Sequence, residues 1–415
     1  MPRKSWLLSA FTACLLLCAV KANAQYEDNS LPLQSAVADT ASAAGVEISL
    51  VTCEPYDRIY SLYGHTGLRI KDRERGIDVL ANWGIFEMRK RFFILRFTFG
   101  LTDYKMEIEP WEEFCDRYMF YGSGVQEQVL NLSDAEKIRL IAAVRENYKP
   151  ENRYYRYNYF YDNCTTRVRD IIEESIDGEI TYTDAIDQKS FRELIHDWNG
   201  THLWARWGND FLLGMKADKP TTRREEQFLP YNLFRDFAAA RITEKGKADR
   251  LLVKETRWAV PPMYEKGENS FAETYLLRPF TAVLLYVLLL AITAFIENKR
   301  KKRIWQFDVA VLTTTGVMGL VLFAMIFSQH PTVSLNFQIL IFNPLSLILL
   351  KPIIKNLRKG EPSRALQVLA VLAAAGAVIG QSLQHYAEGV QTLAAFLLIT
   401  YVRKSGLKNN ETKQQ

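Results

Sequence analysis

The stretch Tyr154-Tyr-Arg-Tyr-Asn-Tyr-Phe-Tyr-Asp-Asn-Cys164-Thr-Thr-Arg-Val-Arg-Asp170 joins an aromatic run to the start of a helical pattern. The apolar residues beyond it recur at one-turn spacing, which predicts a helix: Val168, Ile171, Ile172 and Ile176. Asp162 and Asn163 are residue types that cap helix starts, so Cys164 should lie in the first turn. There the helix dipole favours a thiolate, the nucleophilic form of cysteine. The stretch therefore predicts a catalytic cysteine, although a small buried side chain or half of a disulfide is the alternative.

A second stretch, Tyr60-Ser-Leu-Tyr-Gly-His65-Thr-Gly-Leu-Arg-Ile70, holds one of the five histidines of the chain. From residue 46 the apolar residues alternate with a period of two, which predicts antiparallel strands with turns at Gly64 and Gly76. Further strands are expected over 92–99, 104–108 and 125–132, followed by a helix that a capping box at Ser133 begins. The pattern predicts an α+β domain, with the strands first and the Cys164 helix after them.

The first 24 residues have the features of a secretory signal peptide. Arg3 and Lys4 precede an apolar core, and Ala22-Asn23-Ala24 is a small-x-small cleavage pattern. The mature chain should therefore begin near Gln25, outside the cytoplasm.

Three cysteines remain beyond the signal peptide, namely Cys53, Cys115 and Cys164. An odd number in an oxidising compartment indicates one free thiol. The simplest assignment is a Cys53–Cys115 disulfide with Cys164 free. Spacing does not establish connectivity, and Cys53 competes with Cys164 for the free position.

The composition changes near residue 278, and five apolar segments follow: 280–296, 306–327, 335–350, 365–380 and 390–402. Each is near the length that crosses a bilayer. Loops rich in Lys and Arg alternate with loops that contain neither, so the positive-inside rule places the C-terminus in the cytoplasm. We therefore expect a signal peptide at 1–24, an exported domain at 25–277, a five-helix transmembrane domain at 278–403 and a cytoplasmic tail at 404–415.

Polar residues in the predicted outer loops are the remaining candidates for function. His330, Asn336 and His385 lie in or beside these loops. Polar groups near a membrane often mark function, although these residues could equally satisfy helix ends broken by Pro331 and Pro344. The net charge of +5 comes largely from the predicted cytoplasmic loops, so it describes topology and gives no indication of nucleic-acid binding.

Three motifs resemble the periplasmic domain of Lnb-type apolipoprotein N-acyltransferases of Gram-negative bacteria: Gly64-His65-Thr66-Gly-Leu-Arg69, Asn82-Trp-Gly-Ile-Phe86 and Asp162-Asn-Cys164-Thr-Thr-Arg167. Phe228-Leu-Pro230 and the pattern His330-Pro331, Asn336 and Asn343-Pro344 fit the same family, so the resemblance covers most of residues 46–402. The exported domain also resembles circularly permuted papain-like (NlpC-like) thiol enzymes, in which the histidine precedes an Asn-Cys pair.

The resemblance implies an acyltransferase of the inner membrane with its catalytic domain in the periplasm. Cys164 would take a fatty-acyl chain from a phospholipid as a thioester and pass it to the α-amine of the diacylglyceryl-cysteine of a lipoprotein. His65 would act as base and acid, with Asn82 orienting it and Asp78 as the second choice. Asn163 would either donate to the oxyanion or only cap the helix. The resemblance implies no cofactor and no metal.

Two interpretations from other classes remain open. A papain-like cysteine peptidase or amidase of the cell envelope would share Cys164 and His65 but would not need five spans. A non-catalytic envelope membrane protein would tolerate the loss of either residue.

Overall fold

The computed structural model of the chain describes residues 43, 45–56, 58–86, 91–182, 188–263 and 276–406. The predicted signal peptide lies outside these residues. The described strands are β1 (Val46–Cys53), β2 (His65–Asp72), β3 (Ile77–Ile85), β4 (Asp103–Pro110), β5 (Val125–Leu130), β6 (Tyr154–Arg156), β7 (Glu179–Thr181), β8 (Arg241–Thr243), β9 (Arg250–Leu251) and β10 (Val253–Val260). The helices before the membrane domain are α1 (Phe93–Thr98), α2 (Trp111–Phe120), α3 (Asp134–Tyr148), α4 (Cys164–Ser175), α5 (Phe191–His196), α6 (Leu203–Leu212), α7 (Arg223–Glu226) and α8 (Pro230–Ala239).

The N-terminal domain is built on an antiparallel seven-stranded sheet with the order β10-β5-β1-β2-β3-β4-β6. The predicted strands near residues 46, 68 and 77 are its centre, where β1 is buried almost throughout. Helix α4 packs against β2 and β3, and its Val168 and Ile172 are fully buried. The predicted α+β class is therefore confirmed. The predicted order holds for β1 to β6, which precede the Cys164 helix, but the edge strand β10 comes after it.

Helix α3 begins at the capping box that the sequence predicts. The Ser133 hydroxyl accepts a bond from the Glu136 N–H at 3.3 Å, and the Glu136 carboxylate accepts one from the Ser133 N–H at 2.7 Å. This reciprocal arrangement is the predicted capping box.

The strand predicted over residues 92–99 is wrong, because this stretch forms helix α1. Phe93 and Phe97 are one helical turn apart and stack with their ring centroids 6.2 Å apart. Gly100, with a φ of +67°, adopts the left-handed conformation that commonly follows a helix end. Aromatic residues favour strands on average, and tertiary packing overrides that preference here.

The C-terminal part contains α9 (Pro279–Arg300), α10 (Trp305–Met325), α11 (Leu345–Ile348), α12 (Leu350–Lys359), α13 (Arg364–Leu383) and α14 (Val390–Ser405). Among the described residues, three helices are long and apolar enough to cross a membrane: α9, α10 and α13. A fourth span is added if the pair Phe337–Ile348 and Leu350–Lys359, bent by 75°, counts as one.

Length and composition thus identify three or four spans among the described residues, and the count of five stays a prediction. The third predicted segment bends between Ile348 and Leu350, and α14 has only 16 residues. The predicted start of the cytoplasmic tail at residue 404 also falls inside the last turn of α14.

The helices of the C-terminal part meet the N-terminal domain at one end. Three side-chain amides there donate to backbone carbonyls of residues 210–213: Asn336 to Phe211 at 2.8 Å, Gln338 to Asp210 at 2.9 Å and Gln384 to Leu213 at 3.0 Å. At the other end, Lys404 pairs with Glu297 at 2.9 Å and with Asp308. The loops around residues 328–336 and 384–389 therefore lie at the same end as the N-terminal domain.

Candidate active site

The predicted contact between His65 and Asn82 is present in the structure. His65 is the first residue of β2, and Asn82 lies on the neighbouring strand β3. The His65 Nε2 atom is 2.8 Å from the Asn82 Oδ1 atom. Gly84 lies against the same ring, where a Cβ atom would be 3.0 Å from His65 Cε1. The imidazole is thus held between an amide and a residue that has no side chain.

A carboxylate fixes the orientation of the Asn82 amide. Asn82 Nδ2 donates to Glu109 Oε1 at 2.8 Å, and Arg117 donates to Glu109 Oε2 at 2.6 Å. A carboxylate of this kind only accepts, so the NH₂ group of Asn82 must face Glu109 and its carbonyl oxygen must face His65. That oxygen also only accepts, so His65 must carry a proton on Nε2. The neutral ring therefore has its free lone pair on Nδ1.

Cys164 is the first residue of helix α4, and its sulfur and the His65 imidazole are near enough for each to shift the pKa of the other. The Thr66 backbone N–H also contributes to the lowered pKa of Cys164, and the Thr165 hydroxyl lies 3.8 Å from the sulfur. The Thr66 and Thr165 hydroxyls are 3.0 Å apart, so the start of β2 and the start of α4 are joined beside the thiol. Cys164 and His65 are both partly accessible to solvent.

The electrostatics favour a thiolate–imidazolium pair. Burial disfavours the thiolate, but the facing His65 and the hydrogen bonds from His65 and Thr66 outweigh burial and lower the pKa of Cys164. Burial likewise disfavours the imidazolium, but the facing sulfur, the Asn82 carbonyl and the nearby Glu109 carboxylate raise the pKa of His65. Such a cysteine is a stronger nucleophile at neutral pH than an isolated thiol.

Asn163 is the cap of helix α4. Its Oδ1 accepts from the N–H groups of Thr165 and Thr166 at 2.9 and 3.0 Å. Its NH₂ group donates to the carbonyls of Tyr159 and Phe228, both at 2.9 Å. Both amide protons are thus used by the protein, which assigns Asn163 to capping and leaves no proton for an oxyanion. The Thr165 and Thr166 N–H groups are likewise bound to the cap, so the backbone N–H of Cys164 is the alternative donor in the first helical turn.

Asp78 is directed away from the imidazole. Arg69 donates to both of its oxygens, at 2.7 and 2.6 Å, and also bonds Glu127 at 2.9 Å. Trp111 stacks on the Arg69 guanidinium with the Cζ atom 4.2 Å from the ring centroid. Asp78 therefore belongs to a buried ion-pair network, and Asn82 alone of the two contacts His65.

The predicted Cys53–Cys115 disulfide is absent, because Cys53, Cys115 and Cys164 are all free thiols in the structure. Cys53 is buried in a cluster with Tyr118, against which Cys115 packs. Burial raises the pKa of Cys53, and burial raises that of Cys115 to about 12. Cys164 is thus the cysteine among the described residues whose surroundings favour the thiolate.

Comparison with models of protein families gives a match for each half of the chain. The model of the Lnb N-terminal periplasmic domain matches residues 34–197, and that of the Lnb transmembrane domain matches residues 270–411. The chain belongs to the Lnb family. Searches of curated proteins and of solved structures gave no match. This Lnb-family chain is accordingly a membrane protein with a periplasmic N-terminal domain and a C-terminal transmembrane domain.

The three outer-loop candidates of the Lnb-family chain contact other parts of the molecule. His330 Nε2 is 3.0 Å from the Phe97 carbonyl, and Asn336 donates to the carbonyls of α6 as described above. The backbone N–H of His385 donates to Asp218 at 3.2 Å. All three residues therefore join the two halves of the chain, and His330 does so between α1 and the loop after α10.

Sequence reasoning missed Glu109, Arg117 and Thr66 as members of this site. Glu109 lies on β4 and reaches Asn82 diagonally, since the register pairs Asn82 with Glu107 instead. Thr66 acts through its backbone, which no side-chain motif identifies. The periodicity of β4 predicted the strand, but only the three-dimensional register shows which glutamate approaches the amide.

Proposed function

We propose that this Lnb-family chain is a lipoprotein N-acyltransferase of the inner membrane, with its C-terminus in the cytoplasm. It moves a fatty-acyl chain from a membrane phospholipid, through a thioester on Cys164, to the α-amine of the diacylglyceryl-cysteine of a lipoprotein. The observation that carries the proposal is the arrangement Cys164–His65–Asn82, supported by Glu109, in a domain fixed to apolar membrane helices.

In the first step the Cys164 thiolate attacks the carbonyl carbon of a phospholipid ester. The bond from that carbon to the glycerol oxygen breaks, and the His65 imidazolium gives its Nδ1 proton to the departing lysophospholipid. The developing oxyanion is stabilised by the backbone N–H of Cys164 at the start of α4, where the helix dipole is also favourable. Asn82 holds the ring during this transfer because Nε2 remains bonded to its oxygen.

In the second step the free α-amine of a diacylated lipoprotein attacks the thioester. His65, now neutral, takes the proton that the amine loses, and Cys164 leaves as the thiolate. The net reaction converts an ester to an amide through a thioester. The phospholipid and the diacylated lipoprotein are therefore the only reactants that it requires. The order His65 before Cys164 agrees with the permuted papain-like arrangement that the sequence resembles.

The same three side chains also suit a cysteine peptidase or amidase, in which an envelope peptide would be the acyl donor. The contacts of Asn336, Gln338 and Gln384 favour acyl transfer between lipids, because they hold the periplasmic domain against the membrane helices. A peptidase acting on soluble or cell-wall peptide gains nothing from that attachment.

The proposal is tested by mass spectrometry of lipoprotein N-termini in cells that rely on this chain. Wild type should give N-acylated lipoproteins, and Cys164→Ala should leave the α-amine free. Cys115→Ala is the matched control, because Cys115 is a partly buried thiol in the same domain, and it should preserve N-acylation. Unchanged N-acylation in Cys164→Ala would refute the proposal, and loss of an envelope peptide cleavage product instead would favour the peptidase.

A further inference from the structure

A patch of exposed apolar side chains surrounds helix α1. Its members, called the α1 patch here, are Phe92, Leu95, Phe97 and Leu101, with exposed fractions of 59, 56, 36 and 39%. Two arginines accompany them: the Arg91 guanidinium lies over the Phe92 ring at 4.7 Å, and Arg96 donates to the Leu101 carbonyl at 3.0 Å. Exposed aromatic and aliphatic groups beside arginines are typical of segments that lie in the interface of a bilayer with anionic lipids.

The α1 patch is fixed at the end of a transmembrane helix. The Ser328 hydroxyl donates to the Thr98 carbonyl and the Gln329 N–H donates to the Phe99 carbonyl, each at 3.0 Å. Both residues directly follow α10, whose last turn exposes Phe323 and is followed by the exposed Phe327 (46 and 67%). The exposed face of α1 therefore lies where α10 leaves the bilayer, next to lipid-facing side chains.

A row of aromatic rings runs from the α1 patch toward the catalytic site. Phe97 stacks on Tyr157 with centroids 6.1 Å apart, Tyr157 on Tyr104 at 4.0 Å, and Tyr104 on Phe86 at 4.8 Å. Phe86 is two residues beyond Gly84, the glycine that lies against the His65 ring. The row thus connects the level of the membrane surface with the imidazole.

We propose that the α1 patch inserts into the outer leaflet of the inner membrane, and that the row Phe97, Tyr157, Tyr104 and Phe86 forms the wall along which a phospholipid acyl ester reaches Cys164. The occupant is a glycerophospholipid of that leaflet, whose headgroup phosphate Arg91 and Arg96 can meet while its chains follow the rings. The membrane contact holds for any reaction at Cys164, whereas the acyl path rests on the proposed function.

The membrane contact is tested by photocrosslinking the full-length chain in nanodiscs of phosphatidylethanolamine and phosphatidylglycerol. A benzoylphenylalanine placed at Leu95 in a Cys164→Ala background should form a phospholipid adduct detectable by mass spectrometry. The same group at Leu251 should not, because Leu251 is similarly exposed (46%) but lies beside Asn131, beyond the end of β5 and away from α1. Equal crosslinking at the two positions, or none at Leu95, would overturn the membrane contact.

The supply of phospholipid from the α1 patch to the acyl path is tested with Leu95→Asp and its matched control Leu251→Asp. Leu95→Asp should slow acylation of Cys164 from nanodisc phospholipid about tenfold, roughly the effect of one leucine lost from an apolar environment. Acylation by a water-soluble short-chain ester should be unchanged in both variants. Equal acylation from nanodiscs by both variants would refute the acyl path. A wild type that crosslinks to lipid but never acylates would refute the proposed function and support the membrane contact.

Discussion

At the scale of single residues, the Asn82 amide determines the chemistry of the site. Glu109 orients the amide, the amide selects the proton position on His65, and that choice directs the basic Nδ1 toward Cys164. An asparagine without a carboxylate behind it can rotate by half a turn and present its NH₂ group to the imidazole. We therefore regard Glu109 as a positioning residue that acts through Asn82.

Glu109→Gln should narrow the pH range of Cys164 acylation. The reactive ion pair exists above the pKa of Cys164 and below that of His65. Glu109 helps to raise the pKa of His65, so its neutralisation should lower that pKa and move the alkaline limb of the profile to lower pH. The rate at the optimum should fall about tenfold, as for the loss of one charge-assisted hydrogen bond.

The matched control for this variant is Glu113→Gln, since Glu113 is an exposed residue in the first turn of α2. Its rate–pH profile should coincide with that of the wild type. A Glu109→Gln profile with the wild-type alkaline limb would contradict the positioning role, even if the protein were less stable.

Cys164 and His65 were recognisable in the sequence because each lies at the start of a regular pattern, and Asn82 because it belongs to a motif that resembles the Lnb-type family. Glu109 was not, since a strand that alternates acidic and apolar residues looks like any solvent-exposed strand. The state of the cysteines could not be predicted from the sequence either, because spacing does not show that Cys53 packs beside Tyr118. Which side chains approach one another depends on register and packing.

At the scale of elements, the start of α4 is where the sequence was most informative. The break from the aromatic run to a helical period at Asp162 and Asn163 predicted the start of the helix at Cys164, and the structure begins it there. The aromatic stretch at 92–99 was misjudged because its residues have high strand propensity, while its contacts with the loop after α10 favour a helix. Helix-capping residues therefore predicted secondary structure more reliably here than average strand propensity did.

Asn163→Ala should destabilise the folded protein by about 1–3 kcal/mol, because it removes the cap and leaves the Tyr159 and Phe228 carbonyls without donors. Asn163→Asp keeps the capping oxygen but turns an acceptor oxygen toward the same two carbonyls, so it should not restore the lost stability. Thermal unfolding of the full-length protein in detergent measures both. The rate of Cys164 acylation should also decrease in Asn163→Ala, because the start of α4 then no longer holds the sulfur in place.

Ser133→Ala is the control for this series, because it removes a cap of the same kind from α3, remote from the thiol. It should lower stability by about 1 kcal/mol and leave acylation intact. If Asn163→Ala kept both wild-type stability and wild-type acylation, the capping role would be wrong.

At the scale of the whole molecule, the two halves are joined by hydrogen bonds from polar groups near the membrane surface. Side-chain amides at Asn336, Gln338 and Gln384 satisfy the carbonyls at the end of α6. The backbones of the two halves also approach each other closely at Gly214, where a Cβ atom would lie 2.1 Å from the Leu335 carbonyl oxygen. The sequence marked these residues as unusual, but their role as a structural connection required the fold.

The arrangement of the loops predicts the topology. A reporter that is active only in the periplasm should work when inserted at Gly267 or beside His330 or His385, and it should fail beside Lys301, Lys359 or Gln415. The reason is that the outer loops contact the periplasmic domain, whereas basic residues cluster at the opposite end, where the positive-inside rule places the cytoplasm. Periplasmic activity at the C-terminus would refute an odd number of spans and with it the predicted topology.

The most direct test of the account is the thioester itself. Purified full-length protein incubated with phospholipid vesicles, without a lipoprotein, should accumulate a hydroxylamine-sensitive acyl mass on the peptide that contains Cys164. It should do so because a lipid-facing site admits little water to discharge the intermediate. Cys164→Ala should carry no adduct, and His65→Ala should form it about 10²–10⁴-fold more slowly.

A diacylated lipoprotein with a free α-amine should then discharge the thioester, and one that is already N-acylated should not. This measurement separates the proposed transferase from a hydrolase, because a hydrolase would lose its acyl group to water whether or not an amine is present. We expect the acyl group to pass from Cys164 to the α-amine of the lipoprotein. N-acylated lipoprotein produced by Cys164→Ala, or an adduct that forms only on Cys53 or Cys115, would contradict it.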